Sequence, residues 1–366
     1  WAHGFRPPEL TTLLGTVLSK RFQEALAERL YPGLGSKQRE ALRSEAEVRY
    51  GKQALNLLQS PVQIGQESSR FIQAWASLAR GEYLRAAELA GEDAKARPWH
   101  FESRWLQSRA SWMDAREAWM GRGDFASARI SNSKGLEAAQ LGLREARSYP
   151  DLLAAVLMHQ SQDFDLDAFH GKATEASFRG ILATADRLSR VDTASVPAHQ
   201  YRAWAYLRWS EELMLHRGQD PTSLLDEALA DCRVFLETHP RALPVMPPML
   251  NLLARKVEHF VNHGQDPREL LKEALTVSAR IQALAPTYPG FHGIKMIAQT
   301  QKGLWAYSNG QDPTPAFQES VASFEQGSRQ WPEGITLLNN LCWTLDWWLV
   351  HRLRTGEPLG PELERA

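Results

Sequence analysis

Apolar residues return every three or four positions along Tyr201–Arg217, Met249–His263 and Phe291–Asn309, and again in the stretch that follows each. That is the period of a helix burying one face against neighbours. The register itself repeats: Leu224, Leu225, Ala228 and Leu229 come back 46 positions later as Leu270, Leu271, Ala274 and Leu275. Two of the stripes carry the only cysteines, Leu225–Leu229–Cys232–Phe235 and Leu338–Leu341–Cys342–Leu345, which reads both thiols as small buried apolar groups. The pattern predicts helices in pairs, in units of fixed length.

Each pair is divided by the same tetrapeptide. Gly-Gln-Asp-Pro stands at Gly218, Gly264 and Gly310, with the related Gly-Glu-Pro at Gly356, and Pro240, Pro286 and Pro332 keep the same step of 46. A period of this size marks a repeat array. The string is what a helix-to-helix turn requires. Glycine takes the left-handed conformation past one helix, aspartate accepts from the free backbone N–H groups of the next, and proline sits in its first turn. Weaker marks at Gly171, Gly123, Gly81 and Gly35 extend the array toward the N-terminus. The expected organisation is an N-terminal segment at 1–34, repeats over 35–355 and a tail at 356–366.

Around Gly81 the string GEYLRAAELAGEDAKARP places an aromatic residue, two alanines and a closing proline at the spacing of the second half of a tetratricopeptide repeat (TPR), and GDF at Gly123 begins likewise. The chain therefore resembles the TPR family, although its unit is some 12 residues longer than the usual 34. The resemblance implies an all-α, right-handed superhelical solenoid of about seven hairpins, with an A helix before each glycine and a B helix after it. The form G-x-D-P-x-x-x-L-x-x-A resembles, more narrowly, the repeats that follow the kinase domain in bacterial, especially myxobacterial, serine/threonine protein kinases. That resemblance implies a non-catalytic interaction or sensory scaffold within a larger signalling protein. A free-standing TPR adaptor and an unrecognised enzyme on helical hairpins are the alternatives.

Composition narrows the partners. With 42 basic and 43 acidic side chains the net charge is −1, so no polyanion-binding excess is present and nucleic acid is not an expected partner. Mean hydropathy is −0.41 and the apolar run Leu152–Met158 falls far short of the roughly 20 residues that span a bilayer. The chain opens WAHGFRPPEL, with neither Met nor a signal pattern, as expected of a piece of something longer. The expected setting is a soluble portion of a bacterial protein.

No G-x-G-x-x-G, H-R-D, D-F-G, G-x-S-x-G, Walker or C-x-x-C string occurs, so catalysis and cofactors are not expected from this chain. His259 and His263 are one helical turn apart, yet Phe260 stands where a zinc protease needs Glu, and His263 falls in the helix's last turn, where it suits the dipole. Asp163, Asp165 and Asp167 alternate like half a calcium loop, but Ala168 replaces the turn glycine, and a solvated acidic turn is expected. Lys52 and Asn56 have the spacing of a carboxylate clamp for chaperone tails but lie upstream of the first A helix.

Thirteen tryptophans remain. Trp105, Trp112 and Trp119 are seven apart and share a helical face with Arg104, Arg109 and Arg116, while Trp343, Trp347 and Trp348 crowd the last helix. Such aromatics serve as core or, on a concave face or an uncovered end, as anchors for a protein or peptide ligand. The nine residues are the candidate binding set, and the last helix is also a candidate for self-association.

Overall fold

The computed structural model describes residues 14–22, 36–58, 69–285, 290–330 and 335–356, and among these every regular element is a helix. The remaining N-terminal residues, Gly35, Pro286, Pro332 and the tail from 357 lie outside the described residues.

A helix at 14–22 (α1) precedes Ser36–Ala46 (α2), a π-helical turn Glu47–Gly51 and Lys52–Leu58 (α3). Hairpins follow: Ser69–Arg80 (α4) with Tyr83–Ala96 (α5), Phe101–Arg116 (α6) with Phe125–Glu145 (α7), and Pro150–Phe169 (α8) with Glu175–Val191 (α9). Next come Val196–Glu211 (α10) with Thr222–Thr238 (α11), Met246–Asn262 (α12) with Arg268–Leu284 (α13), Gly290–Ser308 (α14) with Thr314–Gln330 (α15), and a last A helix, Ile335–Thr355 (α16). The chain forms two compact units that divide between Tyr201 and Arg202. In the first, α6 packs on α5, on its partner α7 and on the neighbouring A helices α4 and α8. In the second, α14 packs on α13, on its partner α15 and on α12 and α16. Within each unit α6 and α14 thus meet their own B helix and the neighbouring A helices, which is the packing that TPR-like hairpins require.

The turns explain why the chain reverses where it does. Gly81, Gly123, Gly171, Gly218, Gly264, Gly310 and Gly356 all have left-handed backbones, with φ between 60° and 78°, and no other residue does among those described. The residue after the glycine closes the helix by donating its N–H to a carbonyl five positions back, as Lys172 does to Asp167, Gln265 to Phe260 and Gln311 to Ala306, each at 2.8 Å. Before Gly123 and Gly218 the A helix instead ends in a π-helical turn, Glu117–Gly121 and Glu212–His216. There the closing bond reaches six positions back, from Asp124 to Ala118 at 2.8 Å and from Gln219 to Leu213 at 2.9 Å, so one extra residue is absorbed without changing the turn. The residue just before the glycine covers another end carbonyl in three repeats. His170 Nδ1 donates to Leu166 O at 2.7 Å, His263 Nδ1 to His259 O at 2.8 Å and Asn309 Nδ2 to Trp305 O at 2.8 Å.

Two expectations are corrected by one residue or one face. Asp220, Asp266 and Asp312 do accept a backbone N–H, from Thr222 at 2.8 Å, Arg268 at 3.0 Å and Thr314 at 2.9 Å. Pro221 and Pro267, however, occupy the N-cap position, so the aspartate precedes it and binds the first helical N–H rather than the second or third. True N-cap bonds occur at Asp124 and Thr174, which accept from Ser127 and Ser177. Cys232 is buried as expected, and burial pushes its thiol up to about 12, but Cys342 is exposed. It lies between Leu338, itself 46% exposed, and the solvent-facing Asp346, one turn from each, while Leu345 and Trp348 are buried.

Two glycine substitutions separate conformational need from packing need. Open space surrounds a Cβ built on Gly264, so Gly264→Ala meets only the left-handed backbone and should cost roughly 1 kcal/mol. A Cβ on Gly135 in α7 would stand 2.3 Å from the ring of the buried His159, so Gly135→Ala should cost more, about 3 kcal/mol. Urea unfolding followed by tryptophan fluorescence checks both. A neutral Gly264→Ala would remove the conformational argument.

Candidate partner-binding surfaces

The seven-residue spacing of Trp105, Trp112 and Trp119 delivers three different environments. Trp112 is core, 4% exposed, and Arg109 and Arg116, one turn before and after it, bring their guanidinium carbons to 4.9 and 4.8 Å from its ring. Trp105 is half-buried, 5.7 Å from Trp75, with Lys20 Nζ 5.3 Å above it. Trp119 falls in the π turn and packs with Phe125 against Ala118, Ala128 and Leu166. The accessible part of this face therefore combines Trp105 and Trp119 with the three arginines, and Asp165 acts with Arg109 and Arg116 at Tyr201. Arg104 donates to Gln107 at 3.1 Å, Arg109 reaches the Met158 sulfur at 3.4 Å, and all three arginines are half-buried. Burial raises the Tyr201 hydroxyl above its ordinary range against the opposing charges of Arg109 and Arg116, so that hydroxyl belongs to the same cluster.

At the C-terminal helix the tryptophans split again. Trp348 is 1% exposed, packed on Phe317 and Leu345 with the Arg352 guanidinium 4.7 Å over its ring, so it offers nothing to a partner. Trp343 is half-buried, and Trp347 is 37% exposed at 6.4 Å from Tyr307.

The acidic triplet is not a turn. Asp163, Asp165 and Asp167 lie within α8, where a two-residue step swings successive carboxylates to different faces. Asp167 pairs with Arg129 of α7 at 2.7 Å, and burial raises the carboxyl of Asp163. At the histidine pair, His263 is engaged with the helix end, and His259 Nε2 faces Asp220 of the preceding turn at 3.3 Å. Burial, then the neighbouring His263, holds His259 below its usual range. Among the described residues no three His, Cys, Asp or Glu side chains are grouped to hold a metal ion, and no helix is long and apolar enough to cross a membrane.

A cluster that the sequence did not flag resembles a catalytic relay. Ser108 of α6 lies 2.9 Å from His159 Nε2, and His159 Nδ1 lies 2.6 Å from Asn132 Oδ1, whose amide nitrogen donates to the His159 carbonyl at 2.9 Å. The amide's two bonds fix its orientation, so Nδ1 carries the proton and Nε2 accepts from the serine. All three residues are fully enclosed, leaving no room for a substrate, and the relay acts as a polar pin through α6, α7 and α8. A second pin joins α5 to the start of α6: the enclosed Asp93 is held by Arg97 at 2.7 Å and by Ser103 at 2.5 Å.

A groove of about 770 Å³ along α13 was likewise missed. Its signal was present as a break in the register, because Ala279 stands one repeat after Arg233.

No family model matches the chain, and no curated protein matches it. Among solved structures it is similar to the human IFIT1 dimer with PPP-AAAA, at 10% identity over 94% of this chain and 95% of that one, with a TM-score of 0.28. The class of this protein, an all-α array of TPR-like helical hairpins, rests on its own turns and helix pairing.

The enclosed imidazole gives a pH prediction. Burial holds His159 down at about 3, against an ordinary 6.5. Between those values the unfolded chain binds a proton that the folded chain refuses, so this histidine's contribution is intact above pH 6.5 and falls with pH by roughly 1.4 kcal/mol per unit. His159→Gln should be less stable at pH 7 and should lose stability less steeply between pH 7 and 5, by urea unfolding at each pH. Parallel slopes for variant and wild type would show that His159 does not set this dependence.

Proposed function

We propose that this chain is a non-catalytic protein-binding scaffold, the TPR region of a larger bacterial serine/threonine kinase-type signalling protein. The observation that carries the reading is the array itself. Hairpins joined at one repeated left-handed glycine add surface with every unit. The Ser108–His159–Asn132 relay, the nearest thing to a nucleophile and base, is sealed inside that array. The kinase parent rests on the G-x-D-P-x-x-x-L-x-x-A form. The reading frame upstream of Trp1 should encode H-R-D and D-F-G, and a frame without them favours the free-standing adaptor.

Docking through the first unit is assigned to the arginine-bearing face of α6. Half-buried arginines already ordered on a tryptophan lose little freedom on binding, and arginine is favoured among residues that dominate interfaces. A tethered chain should retain partners from extracts of its source cell, and Arg109→Glu with Arg116→Glu should reduce retention at least tenfold. Undiminished retention by the double variant moves the site off α6. Turnover by the purified chain that disappears in Ser108→Ala would overturn the scaffold reading.

The exposed Leu338, Trp347 and Leu353 of α16, at 46%, 37% and 65%, support self-association through the last helix. Sedimentation should show a concentration-dependent dimer that Trp347→Glu dissolves. A monomer at every concentration removes α16.

A further inference from the structure

The groove along α13 lies where the strap that joins α11 to α13 has no counterpart. Between the B helices α11 and α13, Arg233 grips Glu273 with two bonds, at 2.8 and 2.7 Å. One repeat on, the acceptor persists as Glu319 but the arginine has become Ala279, whose methyl group cannot reach it. Glu319 turns instead to Lys302 of α14, at 3.5 Å. The surface that the strap would have crossed is left open, and the groove occupies it.

Its lining falls into two rows with helical spacing. Leu271, Leu275, Ala279 and Ala283 stand four residues apart and form an apolar row that ends in two small, exposed side chains. Beside it, also four apart, run Arg268, Lys272, Thr276 and Arg280, and Lys302 adds a fourth cation. Rows at four-residue spacing are the ridges into which a second helix packs, and alanines allow its backbone to come close. From residue 268 to 283 the groove runs about 22 Å, four turns of helix.

Charge selects the occupant. The described lining holds four cations and no carboxylate, although the chain as a whole is nearly neutral. Arg268 is shared with Asp266, Arg280 donates to the Pro240 carbonyl at 2.9 Å, and Lys272 makes no ion pair with a described residue. A nucleic acid would satisfy the cations but leave the leucine and alanine row without a counterpart, and the described lining has no aromatic ring on which a base could stack. We infer that this groove receives an amphipathic helix of a partner protein, its apolar row laid on Leu275–Ala283 and flanked on the cationic side by Asp or Glu. This goes beyond the scaffold reading by giving the second unit a site and a ligand chemistry of its own.

The test uses the full chain and a fluorescent 15-residue helical peptide with leucines every three or four residues and glutamates beside them. Anisotropy should show saturable binding, reduced at least tenfold in Lys272→Glu and in Ala279→Arg. Both substitutions fall on exposed positions, and the second restores the strap to Glu319, so the melting temperature should hold or rise while binding is lost. No saturation at about 1 mM peptide overturns the inference. So does equal affinity for a lysine-flanked peptide, or displacement of the peptide by single-stranded RNA with loss of RNA binding in Lys272→Glu. A dimer that Ala279→Arg converts to monomer would assign the groove to a second copy and overturn the partner helix. The arginine-bearing face of α6 lies in the other unit. Failure of the peptide therefore leaves the partner-retention experiment standing, and failure of retention leaves the groove standing.

Discussion

Everything in this chain hangs from one backbone conformation, the left-handed glycine that ends each A helix. An L side chain there meets its own carbonyl, at a cost of roughly 1–2 kcal/mol per residue, so the position selects glycine whatever surrounds it. Once it is fixed, the following N–H closes the old helix and the next few residues start a new one in the reverse direction. Helix length then sets the step between turns. Helices α9, α11, α13 and α15 each have 17 residues, and the glycines that precede them are spaced by 46 or 47. The short step of 42 after Gly81 goes with a 14-residue α5, and the long step of 48 after Gly123 with a 21-residue α7. The turn is invariant, and the helices stretch or shrink around it.

This is why the scaffold was legible in the sequence. A left-handed glycine, an aspartate beside a helix start and a three-to-four apolar period act within a few residues of one another, so they can be read without knowing what lies across the fold. What failed was whatever depends on distance. Cys342 shares its helix with Leu345, and only the neighbouring elements decide that one faces the core and the other solvent. The acidic triplet looked like a turn because solvent was assumed, whereas Arg129 from the preceding helix holds Asp167. The π-helical turns were invisible for a related reason. They absorb one residue so that the A helix still ends on its glycine, and nothing local in Glu117–Gly121 or Glu212–His216 announces this.

The candidate site was legible only in part. The seven-residue spacing of Trp105, Trp112 and Trp119 could not tell that Trp112 would be core, with Arg109 and Arg116, three and four residues away, laid over its ring. Buried polar groups in the first unit were missed altogether. Ser108, Asn132 and His159 read singly as surface residues, and become structural only when three helices bring them within hydrogen-bond reach. Gly135 belongs to the same arrangement, since its missing Cβ is the space that His159 fills. An unpartnered imidazole or amide inside the array would be costly, so the three residues are coupled.

In a repeat protein, periodicity and function pull against each other. A residue that returns in every unit serves the turn or the contact between neighbouring helices, because those are what the units have in common. Binding needs a surface that differs from the rest, so it belongs at positions where the period breaks. The second unit shows this at a single pair of registers. Arg233 binds Glu273, and the surface between them is closed, while Ala279 leaves Glu319 to Lys302, and the surface is open and cationic. The energetic difference between the two states is small, since a half-exposed ion pair on a helix surface contributes at most about 1 kcal/mol. The absence of a strap therefore costs the fold little while leaving Leu275, Ala279 and Ala283 accessible beside the buried Leu271. A change that is nearly neutral for stability and large for exposed surface is the kind by which a scaffold acquires a site without ceasing to be a scaffold.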